Sequence, residues 1–327
     1  SVEFSYVNSV TAAWSSGGAL ITARNDSGGA GTQNAGLTFG GFVNDPTTVT
    51  EEYDGSNWTT GGNLITCRNA LGSAGTQDAA LAFGGGFGGV TCTEEYNGSS
   101  WSAGGALITA RYMLEGTGTQ YAGLAFGGYG FPSNAYYSCT EEYNGTSWSS
   151  GGALITPTRE SAGAGTQDAA LSIGGTHPGT NYSSCTEEYD GSTWSAGGAL
   201  ITARCSLFGA GITNAALAIG GNAPFGVSNC TEEYDGSSWS SGLALINARF
   251  YLSGAGTQNA ALAIGGMDSN YNSIACTEEY IGASSDLVKT FNYSCTTGNT
   301  MIVPPTSDPG VAGALWNNAG TLAISAG

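Results

Sequence analysis

An all-β, six-bladed propeller is the fold this sequence predicts, and three observations predict it. A Thr-Glu-Glu-Tyr segment followed by Asp-Gly or Asn-Gly and closing on Trp recurs at 50–58, 93–101, 140–148, 186–194 and 231–239. A sixth Thr-Glu-Glu-Tyr at 277–280 lacks the Trp. A Gly-Gly pair follows a short apolar run six times, beginning at Gly40, Gly84, Gly127, Gly174, Gly220 and Gly265, at spacings of 44, 43, 47, 46 and 45 residues. Glycine fills 55 of the 327 positions, and each interior glycine costs a helix about 1 kcal/mol, so helices are disfavoured. A period of about 40–50 residues made of short strands is the signature of one four-stranded sheet per repeat.

Within one unit, GAGTQ reads as a short strand a of small residues, suited to the crowded centre of a ring. AALAIGG is an apolar strand b, buried between neighbours; CTEEY is strand c; SSWSSGGALI is the outer strand d. The Asp-Gly or Asn-Gly between c and d predicts a type I′ hairpin with positive φ. Trp14 heads a d-like strand with no c before it, and Tyr280 ends a c strand with no Trp after it. Joined, they complete one blade, so the N-terminal strand closes the ring and removes its open edges. A seven-bladed alternative would recruit GALWNNAGTLAIS at 313–325 as another a–b pair. The propeller is assigned to 1–281. Residues 282–327, with Pro304–Pro305, Cys295 and Trp316, form a C-terminal extension for docking, oligomer formation or virion attachment.

Composition narrows the function. Seven basic residues stand against 25 acidic ones, for a net charge of −18. Phosphate neutralisation needs Lys and Arg, so nucleic acid is not an expected partner. No apolar run is long enough for a membrane-spanning helix, and SVEFSYVNSV lacks the pattern of a signal peptide.

Four spaced elements recur together over about residues 8–281: an Arg before strand a, the Gly-Gly after b, the Tyr closing c and the Trp of d. In the first unit these are Arg24, Gly40–Gly41, Tyr53 and Trp58. This set resembles the Kelch repeat. The wording ALITAR, GAGTQ, AALAFGG, TEEYNGTSW is similar to Kelch-like proteins encoded by marine and cyanobacterial phages, which are taken as virion or tail components. All six arginines, Arg24, Arg68, Arg111, Arg159, Arg204 and Arg249, read as occupants of one repeat position. The resemblance implies that each pairs with the first glutamate of a Thr-Glu-Glu-Tyr motif: Glu51, Glu94, Glu141, Glu187, Glu232 or Glu278. Six equal copies point to structural ion pairs, since catalysis needs one distinct constellation.

Other chemistry-bearing residues read as structural. Cys92, Cys139, Cys185, Cys230 and Cys276 share the slot that Val49 fills in the first unit, which suggests a small apolar slot. Absence of Cys-x-x-C argues against zinc. Cys67 and Cys205 stand near strand-d ends, within possible reach of a strand-c cysteine. One histidine, His177, cannot supply the two-histidine copper site of the Kelch-type oxidases. No metal or cofactor is expected.

Comparing repeats locates the candidate site. The a–b and c–d turns hardly change, whereas the b–c and d–a segments differ in length and content. Successive strands run antiparallel, so these two variable connections emerge on one face, where loops can vary over a fixed scaffold. They carry Tyr112, Phe131, Tyr136, Tyr137, His177, Tyr182, Phe250, Tyr251 and Tyr271, the candidate ligand-binding residues. A hydrolase would need an acidic cluster there, drawn from Asp26, Asp45, Glu115, Glu160 and Asp268. The expected function is a non-enzymatic virion component, a tail or surface fibre protein binding a host glycan or another virion protein. The alternative is a secreted or cell-surface bacterial propeller that binds or processes glycans.

Overall fold

The computed structural model describes residues 2–293, 315–318 and 321–324. Ala13–Gly282 forms one compact unit of six four-stranded antiparallel sheets. Blade 1 has strands a to d at Gly28–Thr32, Ala35–Phe39, Thr50–Tyr53 and Trp58–Thr60. Blades 2 to 5 repeat the order, starting at Gly72, Glu115, Ala162 and Phe208. Blade 6 takes Ser253–Thr257, Ala260–Ile264 and Thr277–Ile281 from the end of the unit and its outer strand, Ala13–Ser16, from the beginning. Trp14 pairs with Tyr280 across that seam, so the ring closes as the sequence predicts.

One boundary differs from the expectation. The propeller unit begins at Ala13 rather than at residue 1. Val2–Val10 and Ser284–Tyr293 are extended segments of nearly equal length, and they pair with each other in a separate antiparallel ribbon. Leu315–Asn318 and Thr321–Ile324 form a two-stranded hairpin, not the a–b pair of a seventh blade.

Strand b is the core of every blade. Its leucines, Leu37, Leu81, Leu124, Leu171, Leu217 and Leu262, are wholly buried, each worth about 1.5–3 kcal/mol of apolar burial. Polar groups then stitch each blade to the next. The strand-c tyrosine donates to the second glutamate of the preceding blade at 2.5 Å, as in Tyr96 to Glu52 and Tyr53 to Glu279, without exception around the ring. Burial, and then the partner carboxylate, push the Tyr96 hydroxyl up to about 12, so it stays a donor at any physiological pH. The strand-d tryptophan of blades 1 to 5 donates to a threonine of the preceding blade, as Trp101 does to Thr50 at 3.0 Å, whereas Trp14 at the seam donates to the Leu243 carbonyl at 2.9 Å.

The close approach of blades also explains the second glycine after strand d. A Cβ on Gly62 would lie 2.1 Å from the Ser99 carbonyl oxygen in the next blade's c–d loop. The equivalent position before blade 6 is Leu243, which is tolerated because blade 6 takes c and d from opposite chain ends and has no c–d loop. The c–d turns themselves are four-residue loops, since Tyr53 pairs with Trp58. Positive φ occurs at Gly55 but not at Asp54, so they are not type I′ turns. The Asp54 carboxylate accepts the N–H groups of Ser56 and Asn57 at 2.8 and 2.7 Å and shapes the loop through its side chain.

Five arginines are buried latches. The Arg68 guanidinium donates to the carbonyls of Gly84 and Cys92 and meets Glu94 at 2.7 Å. Arg111 pairs with Glu141 at 3.1 Å and Arg204 with Glu232 at 3.0 Å; Arg24–Glu51 and Arg249–Glu278 complete the set. Each glutamate also accepts two N–H groups from the incoming d–a segment, as Glu94 does from Ile65 and Thr66. The cysteine preceding strand c is thus used for its carbonyl. Its side chain is exposed in Cys92, Cys185, Cys230 and Cys276 and half-buried in Cys139, which corrects the apolar-slot reading. Cys67 and Cys205 are free thiols; Cys295 lies outside the described residues.

The sixth arginine breaks the pattern. The second glycine after each strand b donates to the carbonyl of the latch position: Gly41 to Arg68, Gly85 to Arg111, Gly175 to Arg204. Gly128 donates to Thr158. Thr158 therefore occupies the latch slot, and Arg159 stands one residue beyond it. Glu187 lacks the expected arginine. It keeps the N–H groups of Ile155 and Thr156, and burial raises its pKa against them.

Removing a partner from a buried ion pair leaves an uncompensated charge. Arg111→Ala is expected to lose about 3–5 kcal/mol in chemical denaturation, and Arg159→Ala no more than about 1 kcal/mol. Equal losses would contradict the shifted register.

Candidate functional site

The d–a and b–c connections lie on one face and are bonded to each other. Backbone bridges join Asn25 to Phe42, Tyr112 to Tyr129, Arg159 to Thr176, Cys205 to Asn222 and Phe250 to Met267. The residue after each of these d–a positions, and after Asn69, whose carbonyl accepts the Gly86 N–H, reaches the axis: Asp26, Ala70, Met113, Glu160, Ser206 and Tyr251. Their N–H groups form a closed ring, Asp26 donating to Tyr251, Tyr251 to Ser206, Ser206 to Glu160, Glu160 to Met113, Met113 to Ala70 and Ala70 to Asp26, at 2.8–3.1 Å. All six have φ between 50° and 55°. This left-handed conformation costs an L-residue roughly 1–2 kcal/mol, and elsewhere in the propeller glycine fills the positive-φ positions except at Asn134 and Tyr271, in b–c loops.

These residues line a cavity of about 70 Å³ together with Glu115. Below it, strands a enclose a channel space of about 140 Å³ walled mainly by glycine and alanine. Glu115 borders both spaces, at the strand-a position where the other blades carry Gly28, Gly72, Ala162, Phe208 and Ser253. The structure thus unites three of the five acidic candidates. Asp45 lies in an exposed loop, and Asp268 caps its own loop through Asn270 and Asn272.

Burial pushes Glu115 up to about 8, against the single lowering bond from the Gly116 N–H. Burial first, and the charge of Glu160 second, push Asp26 up to about 7. Ser206 donates to Glu160 at 3.0 Å. The neighbouring Cys205 thiol is raised to about 11 by burial and by Glu160, which leaves it protonated and unreactive. Among the described residues, no group of three or more His, Cys, Asp or Glu side chains is arranged to hold a metal ion.

A second, outer ring consists of Asn25, Asn69, Tyr112, Arg159, Cys205 and Phe250. Around Arg159 the aromatics gather. Its guanidinium lies 4.5 Å from the Tyr129 ring centroid and 5.0 Å from that of Tyr136, and Tyr129 packs edge-on against both Tyr112 and Tyr136. Of the predicted ligand residues, Tyr112, Tyr136, Tyr137, Tyr182 and Tyr251 are partly exposed on this face, and Phe131 and Tyr271 are 64% and 70% exposed. Phe250 and His177 are not available to a ligand, at 3% and 8% exposure. Phe250 packs against Tyr251 and Tyr271, and burial lowers the His177 pKa. Sequence reasoning missed Tyr129, Met113 and the displacement of Arg159. Counting from either side would have exposed the last: the latch position precedes the strand-a glutamine by nine residues in blades 1, 2, 3 and 6, and it follows the strand-d Trp by ten at the five regular arginines, and both counts land on Thr158.

The ring architecture has a solved counterpart. The structure of YjhT is similar to this chain with a TM-score of 0.67 at 14% identity, covering 82% of this chain and 99% of that one. At that identity the likeness shows the fold, a six-bladed β-propeller, alone. No protein-family model and no curated protein sequence matches the chain.

A carboxyl whose pKa rises on folding supports the fold when protonated. That support is complete below the unfolded value and lost as pH rises through the folded one. Glu115→Gln is therefore expected to raise the thermal midpoint relative to the parent at about pH 9 and to leave it little changed at about pH 4. The difference should open between 4.5 and about 8; a gap independent of pH would contradict the assignment.

Proposed function

We propose that this propeller is a non-enzymatic recognition module that binds a glycan at the mouth of the b–c/d–a face. One observation carries the reading: six axial positions share one strained backbone conformation and hold six different side chains. Glycine would relieve the strain at each position, and the sequence uses glycine freely elsewhere. Side chains retained against that cost are what a ligand-reading surface needs. The opposite face carries near-identical Asx-capped turns, as at Asp54, Asp190 and Asp235. The similarity of the repeat wording to phage Kelch-like proteins supports placing the module on a virion, as a fibre or surface component.

A second reading, glycan hydrolysis, draws on the raised pKa values of Glu115 and Asp26 beside Glu160, since unequal carboxyl environments suit acid and base roles. Release of reducing ends from a bound glycan, abolished by Glu160→Gln, would favour it over simple binding.

The test is glycan-array binding, or adsorption to candidate host cells, by the full chain. Tyr251→Ala and Tyr136→Ala are expected to weaken binding at least about tenfold, the order of one to two lost stacking contacts. Asp190→Ala and Asp235→Ala, on the opposite face, should leave it unchanged. The reverse pattern would place recognition on the wrong side of the ring in this proposal.

A further inference from the structure

The one-residue displacement of Arg159 has a chemical consequence. Each of the other five guanidinia is wholly buried and spent: Nη1 donates to two carbonyls and Nη2 meets a glutamate, as in Arg68. Arg159 has no such partners. Its Nε makes no hydrogen bond and lies 3.9 Å from Glu160 Oε1, beyond hydrogen-bond range. Its Nη1 meets only the weak acceptor Met113 Sδ at 3.8 Å. The side chain is 25% exposed and held over two tyrosine rings, with Glu160 as a distant ion-pair partner at 3.9 Å, so it is ordered while its Nη groups stay open to a further acceptor. The cost falls on blade 4, where Glu187 stays buried with Thr158 in place of its cation. A repeat that solves this problem five times and abandons it once, beside the axial mouth, has placed a partly exposed guanidinium there.

Resting on the reading that this face binds a glycan, we propose that Arg159 is its anion anchor and that the ligand is a carboxylate-bearing sugar. The carboxylate would take the guanidinium fork, the bidentate geometry that arginine favours. Hydroxyls would turn toward Glu160, Asp26 and Ser206 in the adjacent cavity. Glu160 beside the single arginine opposes a dianionic phosphate more than a singly charged carboxylate. The cavity of about 70 Å³ admits a sugar substituent rather than a length of peptide. Tyr112, Tyr129 and Tyr136 offer the aromatic edge along which a pyranose can lie.

The experiment measures binding of the full chain to oligogalacturonate, to its methyl ester and to a neutral galactose oligomer. The wild-type protein should bind the acid at least about tenfold more tightly than the ester, about 1.4 kcal/mol. Arg159→Gln should erase that preference while leaving the thermal midpoint and the affinity for the ester nearly unchanged, and Arg159→Lys should restore part of it. Equal binding of acid and ester, or a preference that survives Arg159→Gln, overturns the anchor while the recognition reading stands. Binding of poly-glutamate in place of any sugar overturns the sugar class. Acid-selective binding lost with Asp190→Ala but not with Tyr136→Ala overturns both this inference and the choice of face.

Discussion

The ring depends on a glutamate buried at each junction between blades, paired at five of the six with a buried arginine. An arginine leaving strand d has no solvent to turn to, so it must find a carboxylate and carbonyls in the blade that follows. The glutamate it meets is itself tied to the incoming main chain by two N–H donors. The latch therefore fixes the path of the d–a segment, and that path delivers the next residues to the axis. Apolar burial in strand b supplies most of the cohesion, but it is non-directional. The angle between neighbours is set by the arginine, together with the tyrosine–glutamate bond and the tryptophan–threonine bond.

From that regularity follows the character of the candidate site. Because five latches and six tyrosine bonds hold the backbone nearly six-fold, the axial positions can differ freely in side chain without altering the frame. Asp26, Met113, Glu160, Ser206 and Tyr251 occupy equivalent geometry and, apart from the two carboxylates, differ in chemistry. Asp26 and Glu115 are withdrawn from bulk solvent at the axis, and burial is the first reason their pKa values rise toward neutral pH.

Much of this was legible in the residues. The seam at Trp14 and Tyr280 could be read because each half-motif lacked what the other possessed. The face assignment followed from antiparallel alternation alone. Three features escaped. Arg159 was aligned with its neighbours because Ile-Thr-Pro-Thr-Arg reads like the Ile-Thr-Ala-Arg of other units; only residue counting from Trp148 or Gln167 shows the one-residue shift, which the bonding of Gly128 to Thr158 makes plain. The ring at the axis was hidden because positive φ at Asp26 or Tyr251 leaves no glycine to mark it. Phe250 and His177 were read as exposed because they stand in variable loops, yet they pack beneath the residues that flank them.

Leu243 has a consequence for how such a ring can be cut. It stands where the other junctions demand glycine, and it is accommodated because the chain's two ends meet in the adjoining blade without a connecting turn. The identity of that residue thus records the location of the covalent gap. Since the tyrosine–glutamate bond recurs at every junction, a permuted gene could open the circle in another blade and join Gly282 to Ala13 through a turn, provided the exemption moved with it. Glycine would be required at 243, and the bulkier side chain would be free to stand beside the new opening.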